Sequence, residues 1–534
     1  MADADGGEQA RIAQRAGIVA SGTLTSRILG AARDSVIAAM FPVAATDAFF
    51  VAFTIPNALR ALLAEGAVSG AFVPVFTEVR EKEGMGRARA FYQHLSATML
   101  LVLGGVSILG VVAAAPLVTL YAAGYADDAA KFASTVTLTR IVFPYIFFMG
   151  VAALGLGVLN ALKRFVVPAF APSLLNVAMI AAALTLVPFA AWLGLEPIAA
   201  LAIGALIGGF LQVGAQVPEL RRAGMWNMPR IDMRDPYVRK AMRLLVPLMV
   251  GLGIYQVNVI LARLFASFLP EGSQSFLYYG QRVVEIPQGL FALAIASAAL
   301  PSLALSRSRG DENETRRLFS YSLRLNLLLA LPSTVALVLL AKPTVVVLFQ
   351  RGSFDAFYVS ETARSLAWQA AGIWAVASVR TVVPMFHAYN DTRTPVICSA
   401  VNLVVFGTVS GVLMGPMQHA GIAVGISAAA VAQLLSLLYL LRRRAGRLGL
   451  REVLASALRI GLASAAMGAV AWGVSELGRW ERGGNDPRNI VAYVGAVLAG
   501  AGAFVFVAKL LRAPELDVVI NVLRRRRRKG GDGE

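Results

Sequence analysis

Apolar runs of about 20 residues, divided by short polar or basic segments, recur from residue 18 to residue 511. Each is long enough to cross a hydrocarbon core of about 30 Å as a helix, which satisfies its backbone hydrogen bonds within one segment. The pattern predicts fourteen crossings. In the first half they fall at Ile18 to Met40, Asp47 to Thr77, Tyr92 to Ala122, Phe132 to Leu162, Ala171 to Pro188, Ile198 to Val217 and Met242 to Phe268. In the second half they fall at Ser275 to Leu305, Phe319 to Leu340, Ser360 to Tyr389, Pro395 to Leu413, Gly421 to Leu441, Val453 to Val474 and Ile490 to Leu511. The fold class expected is therefore an all-α polytopic membrane protein.

Composition agrees with that pattern. Of 534 residues, 57% are hydrophobic and 15% charged, with a mean hydropathy of +0.67, which excludes an ordinary soluble enzyme, a disulfide scaffold or a disordered chain. One cysteine, Cys398, and three histidines, His94, His387 and His419, suggest neither a disulfide nor a metal centre. The first ten residues lack the basic start and apolar core of a cleavable leader, so residues 1–17 read as a solvated tail.

The net charge of +18 is distributed unevenly. Loops after even-numbered helices carry Arg80, Lys82, Arg87 and Arg89, then Lys163 and Arg164, then Arg221, Arg222, Arg230, Arg234, Arg239 and Lys240. Arg307, Arg309, Arg316, Arg317, the run Arg442 to Arg444 and Arg447 continue the pattern, whereas loops after odd-numbered helices hold few basic residues. The positive-inside rule then puts both termini in the cytoplasm, which requires an even number of crossings. The basic run Arg524 to Lys529 lies on the same side, where it acts as a topogenic anchor and meets anionic lipid. Nucleic-acid binding is remote.

Two stretches match between the halves: Asn160 to Pro168 followed by Asn176, and Asn390 to Pro395 followed by Asn402. Ala71 to Phe76 (AFVPVF) similarly matches Ala298 to Ala304 (AALPSLA). The register predicts two six-helix lobes of the same orientation, parallel repeats about the membrane normal, plus two extra helices. The expected domains are an N-lobe over 18–220, a basic linker over 221–241, a C-lobe over 242–441, a basic loop over 442–452, the extra pair over 453–511 and a basic tail over 512–534.

Charges also fall where lipid should be. The first helix holds Arg27, Arg33 and Asp34, the second Arg60 and Glu65, and the eighth Arg282 and Glu285, with Asp47 at the start of the second. An arginine at bilayer depth is disfavoured by about 2.5–3.5 kcal/mol on insertion scales, so these residues should face a wet cavity or one another. At 100° per residue Arg27 and Asp34 share a stripe, about 20° apart, while Arg33 sits about 120° from Arg27. Aiming both arginines into one cavity would need a bend, and Gly30 lies between them. Arg282 and Glu285, spaced i, i+3, can pair on one face. Ion pairing between helices would account for any one of these arginines, but the group suits a ligand with phosphate groups, held by planar guanidinium forks.

The stretch from Thr25 to Glu78 (TSRILGAARDSVIAAMFPVAATDAFFVAFTIPNALRALLAEGAVSGAFVPVFTE) resembles the N-terminal signature of the MurJ (MviN) family of lipid II flippases. Leu277 to Leu303 and Arg164 to Asn176 extend the resemblance, which covers essentially the whole chain. It implies the fold of a superfamily of drug and polysaccharide exporters, two six-helix lobes arranged in a V. It implies substrate-binding arginines at Arg27, Arg33, Arg60 and Arg282, acidic residues at Asp34, Asp47 and Glu65 that gate or balance charge, and a helix-two motif at Pro56 and Asn57. Where relatives often carry Ala-Asp before the eighth-helix arginine, this chain has Gly280 and Gln281, leaving Glu285 as the carboxylate for Arg282. The Ala- and Gly-rich last two helices resemble a pair that lines a groove for a polyprenyl tail; close helix packing by small residues is the ordinary alternative.

The function so implied is movement of lipid II across the bacterial cytoplasmic membrane by alternating access, without catalytic residues, cofactor or resident metal. No Walker A pattern occurs, so Na⁺, H⁺ or the membrane potential would energise it, although no sodium ligand set can be placed. Expected partners are lipid II, anionic lipids at the basic tail and cell-wall synthases. The nearest alternative is a lipid-linked polysaccharide flippase; a drug exporter would have acids dominate the cavity, and a membrane glycosyltransferase lacks its paired carboxylates in the loop from Glu476 to Asn489.

Overall fold

A computed structural model describes residues 2–62, 68–289, 311–446 and 448–517, and every regular element among them is helical. Nine helices among the described residues are long and apolar enough to cross a membrane, among them Ala199–Arg222, Glu312–Leu339, Arg393–Met417, His419–Ala445, Leu450–Ser475 and Pro487–Leu510. Ser173–Thr185 and Gln256–Ser267 are shorter apolar helices. The expected first crossing, rich in charge, lies within a helix that begins at Ala2 and ends at Met40, so the anticipated N-terminal tail is a helical extension. The expected second and eighth crossings run into residues 63–67 and 290–310, outside the described residues; so do Glu65, the AALPSLA string and the run Arg524 to Lys529.

The sequence sets many of the helix starts. Asp128, Asp235, Asp311, Asp355 and Asp486 each accept a hydrogen bond from a backbone N–H in the following first turn. Asp235 and Asp486 are followed by Pro236 and Pro487, whose missing N–H costs nothing at a helix start. The segment 78–91, expected as a loop, is helical on both sides of Gly84, whose φ of 80° turns the chain where an L side chain would be strained.

Contacts divide the chain between Gln274 and Ser275. In the first unit Phe72, Phe76, Phe91, Phe143 and Val158 form a core that also takes in Val238, Ala241 and Leu245. Helix Pro236–Ser267, expected to open the second lobe, thus packs with the first unit, because both of its ends are tied there: Asp235 to Arg87, and Ser267 Oγ to the Gly124 N–H at 3.0 Å. The second unit has its own core around Phe319, Leu323, Phe386, Leu437 and Ile460.

Each unit repeats the same irregularities. Helix Val73–Val112 breaks at Ala113 before Ala114–Ala122, and Glu312–Leu339 breaks at Leu340 before Ala341–Phe349. Ala129–Val142 breaks at Phe143 and Pro144 before Tyr145–Ala161, as Ala356–Ala370 breaks at Ala371 and Gly372 before Ile373–Ala388. Both next helices end on a left-handed residue, Lys163 (φ 62°) and Asn390 (φ 55°), closed by the same pair of backbone bonds. This places Lys163, not Asn160, opposite Asn390, and it brings Pro168 and Pro395 into register. A two-glycine spacing recurs as well, Gly204/Gly208 and Gly421/Gly425. A Cβ on Gly208 would lie 2.8 Å from Leu175 Cα, and one on Gly421 2.3 Å from Leu413 O. In lipid, where apolar surface gains little by leaving tails for another helix, such close approach is what holds helices together.

Candidate functional site

Helix Ala2–Met40 continues through Gly30, so no break turns Arg33 onto the face of Arg27. Arg33 is instead directed into the first unit, 5% exposed, and its donors are committed there. Nε and Nη2 donate to Asp34 Oδ1 at 2.9 and 2.7 Å, and Nη1 donates to Asn176 Oδ1 at 3.0 Å. Asn176 Nδ2 in turn donates to Ser26 O at 3.0 Å. Consecutive helical residues normally diverge, but the length of the arginine lets it fold back onto its neighbour once Asn176 offers a third bond. Gly30 faces this asparagine, with a Cβ position 3.8 Å from Nδ2. Asp34 therefore balances Arg33, and Arg27, six residues earlier, is half-buried.

The other described residues of the expected set each have a partner within their own unit. Arg60, at the end of helix Val43–Arg60, donates from Nε to Asn57 Oδ1 at 2.9 Å, one turn back. Asp47 sits near the start of that helix, 1% exposed, where it accepts from Lys131 Nζ at 3.3 Å and from the Gly272 N–H at 2.8 Å. Lys131 also lies over the Tyr125 ring, 4.5 Å from its centroid. Lys131 and the Gly272 amide are thus partners of Asp47, whose position ties the turn after helix Pro236–Ser267 to the second helix.

In the second unit, Arg282 Nη1 donates to Glu285 Oε2 at 3.0 Å, and the guanidinium lies 5.0 Å from the Tyr278 ring centre. Gln281 Nε2 donates to the other oxygen of Glu285 at 3.2 Å. Gly280 lies where a Cβ would stand 2.9 Å from Gln369 Nε2 and 3.2 Å from Leu366 N, so a neighbouring helix occupies the place of a side chain. The departure from the family pattern at Gly280 and Gln281 thus comes with a carboxylate one turn further on, contacted by both Gln281 and Arg282.

Six arginines inside the expected spans escaped the sequence reading: Arg140, Arg263, Arg324, Arg364, Arg380 and Arg459. Arg140, in the last turn of Ala129–Val142, is exposed. Arg380, in Ile373–Ala388, is also exposed and donates from Nη2 to Gln288 Oε1 at 3.4 Å. Counting charges within every apolar run, rather than only in the runs that resembled the family signature, finds all six. In the last two helices, Gly468 approaches Leu339 and Val335, and Gly500 approaches Ala471 and Met467, so these small residues serve helix packing.

Polar chemistry also accumulates outside the spans. Asp235, with its side chain 1% exposed, accepts two bonds from Arg87 at 2.8 Å, one from His94 Nδ1 at 2.8 Å and one from the Tyr237 N–H at 2.9 Å. Burial pushes its carboxyl up, but the bonds from Arg87, His94 and Tyr237 outweigh burial and hold it at about 2. Lys240 and Lys82 both bind Glu78, and Tyr237 donates to Glu83. Among the described residues, His94, Asp232 and Asp235 are the group whose ligand atoms could surround a cation. With both Asp235 oxygens already bound by Arg87, that group is better matched to the guanidinium it holds.

Residues 36–483 match the family model described as "Lipid II flippase MurJ". The lipid II flippase MurJ of Burkholderia cenocepacia is 37% identical over 436 residues, 80% of this chain and 84% of that protein. A solved structure of lipid II flippase MurJ in an inward closed conformation shares the fold with a TM-score of 0.76 at 22% identity, covering 92% of this chain and 98% of that one. An inward-facing multidrug resistance MATE transporter of the MOP superfamily has a TM-score of 0.65 at 13% identity, covering 79% and 95%.

Proposed function

The chain belongs to the MurJ family of lipid II flippases, and from that premise we propose that it carries lipid II from the inner to the outer leaflet of a bacterial cytoplasmic membrane by alternating access. The match over residues 36–483 is the observation that carries this reading. In it the chain crosses the membrane fourteen times with both termini cytoplasmic, as two six-helix lobes in a V and a C-terminal pair, the repeated helix breaks and caps supporting the two-lobe plan.

Arg27, Arg33, Arg60 and Arg282 bind the diphosphate and the polar headgroup. The hydrogen-bonded state of Arg33 supports a cycle of exchange. Without ligand its charge is balanced by Asp34; a diphosphate offers stronger, doubly charged acceptors, and release restores the internal pair. Glu285 does the same for Arg282. Such exchange keeps each guanidinium compensated in both states, which a low-dielectric site demands because an uncompensated buried charge costs several kcal/mol. The polyprenyl tail stays in lipid along the last two helices, since burying its carbons is worth about 0.8 kcal/mol per CH₂. An ion gradient or the membrane potential, about 2.3 kcal/mol per charge per 100 mV, biases the cycle.

The test is a leaflet-accessibility assay with fluorescent lipid II in vesicles containing the purified protein. Wild type exposes the label on both sides, and Arg27→Ala and Arg282→Ala protein of equal stability does not. Transport of a lipid-linked polysaccharide repeat in the same vesicles, with lipid II left where it was, would replace this reading by the polysaccharide alternative.

A further inference from the structure

Between helices Ala199–Arg222 and Pro236–Ser267 the chain runs through residues 223–235 without a regular helix. Four large apolar side chains are exposed within eight residues: Trp226 at 44%, Met228 at 86%, Ile231 at 63% and Met233 at 60%. Met228 is the most exposed large hydrophobic residue among those described. Between and beside them stand Arg221, whose guanidinium lies 5.8 Å from the Trp226 ring centre, and Arg230 and Arg234, both exposed and without an ion-pair partner among the described residues. Arg222 is occupied by Glu219 at 2.8 Å, and Arg239 by the Met233 carbonyl at 3.1 Å.

The segment is nevertheless firmly tied at both ends. After helix Ala199–Arg222 the chain turns at Gly224 (φ 66°), where a Cβ would stand 2.7 Å from Arg89 Nη2. At the other end Asp235 is gripped by Arg87 and His94, and Met225 and Val238 enter the core. What is left between these anchors is a short span whose apolar and cationic side chains face outward together. An apolar residue facing water gains nothing, and a free guanidinium among apolar neighbours gains little. At a bilayer surface the two become complementary: the apolar groups enter the acyl boundary and the guanidinium groups meet phosphate.

We propose that residues 226–234 form a membrane-interface anchor that seats on anionic phospholipid headgroups of the leaflet facing the basic loops, with Met228, Ile231 and Met233 inserted and Arg230 and Arg234 bound to phosphate. The bilayer is favoured as the occupant because both ends of the segment are continuous with helices assigned to lipid, so its surface is always within reach. The anchor rests on the membrane reading and its sidedness, but on neither the identity of the substrate nor the transport cycle. A failure to flip lipid II would leave it standing, and its own failure would leave the flippase reading standing.

The sole cysteine, Cys398, is buried, so the full chain can serve as its own background. Met228→Cys and Ile231→Cys, labelled with an environment-sensitive nitrobenzoxadiazole, are compared with Gly86→Cys, exposed beside the nearby turn at Gly84. The protein is placed in nanodiscs of phosphatidylethanolamine with phosphatidylglycerol, or of phosphatidylcholine alone. The 228 and 231 labels shift to the blue and are quenched by nitroxide-bearing lipid in the phosphatidylglycerol discs, while the label at 86 is quenched by iodide. Arg230→Gln and Arg234→Gln each lower the interface-bound ratio roughly fivefold. Iodide quenching at 228 equal to that at 86 overturns the proposal, as does lipid quenching that is the same in phosphatidylcholine or in the double glutamine variant. Protection seen only in native membranes, and absent from the purified nanodiscs, overturns it in favour of a protein partner.

Discussion

Asp34→Asn separates the two demands on Arg33. In the wild type one carboxylate oxygen accepts from Nε at 2.9 Å and from Nη2 at 2.7 Å, with both side chains almost wholly shielded, 6% and 3% exposed. Removing one member of a buried pair costs about 3–5 kcal/mol. Asparagine keeps an acceptor for a charged donor, worth about 1.5–3 kcal/mol, so the net cost should be about 2 kcal/mol. If lipid II displaces Asp34 from Arg33, that same quantity no longer opposes binding. The variant should then bind lipid II roughly 30-fold more tightly, since about 1.4 kcal/mol is tenfold, and release it correspondingly slowly. Equilibrium binding to purified protein, the vesicle accessibility rate and Tm would be measured together. The expected combination is lower Tm, higher affinity and slower transport, and an Arg33→Gln/Asp34→Asn double-mutant cycle would isolate the coupling. Lower Tm with unchanged or weaker binding would refute the exchange argument and reduce the pair to a structural contact.

Three further outcomes follow from the geometry. Asp235→Asn should remove about 2 kcal/mol of stability at neutral pH, because the carboxyl is held at about 2 against a usual 3.8. A depressed acid stabilises the fold above its unfolded value and loses that effect as pH falls through the folded one. The gap between wild type and variant in chemical denaturation should thus narrow as pH falls below about 4; a gap still at its full size near pH 2 contradicts the assignment. Gly208→Leu should lower Tm through overpacking worth about 1–3 kcal/mol or more, against the Leu175 backbone 2.8 Å from the would-be Cβ, whereas Gly214→Leu, with open space around it, should not. Arg380→Ala should slow transport about tenfold at unchanged Tm if this exposed intramembrane cation lines the headgroup path; an unchanged rate would assign it to lipid or packing.

Much of the site was legible only as a set of candidates. Pairing of Arg282 with Glu285 followed from their spacing on one helix, and that contact is present at 3.0 Å. The same helical geometry failed for Arg33, since a fold-back onto Asp34 depends on Asn176, 143 residues away. It failed for Asp47, whose backbone partner Gly272 lies 225 residues further on. Arg140, Arg263, Arg324, Arg364, Arg380 and Arg459 lie outside the stretches that carry the family signature, so only a count of every charge within an apolar run exposes them.

The sequence by itself determined that the chain is helical and lives in lipid, where its positive charge concentrates, and which family it resembles. These depend on run length, composition and residue order, all local properties that survive without knowing what packs on what. Tertiary structure decided that helix Pro236–Ser267 belongs with the first unit, that Lys163 rather than Asn160 corresponds to Asn390, and which acid balances which cation. In lipid the apolar faces of different helices are nearly interchangeable, so partners are chosen by close approach at glycines and by buried polar bonds between distant segments, which no local pattern encodes.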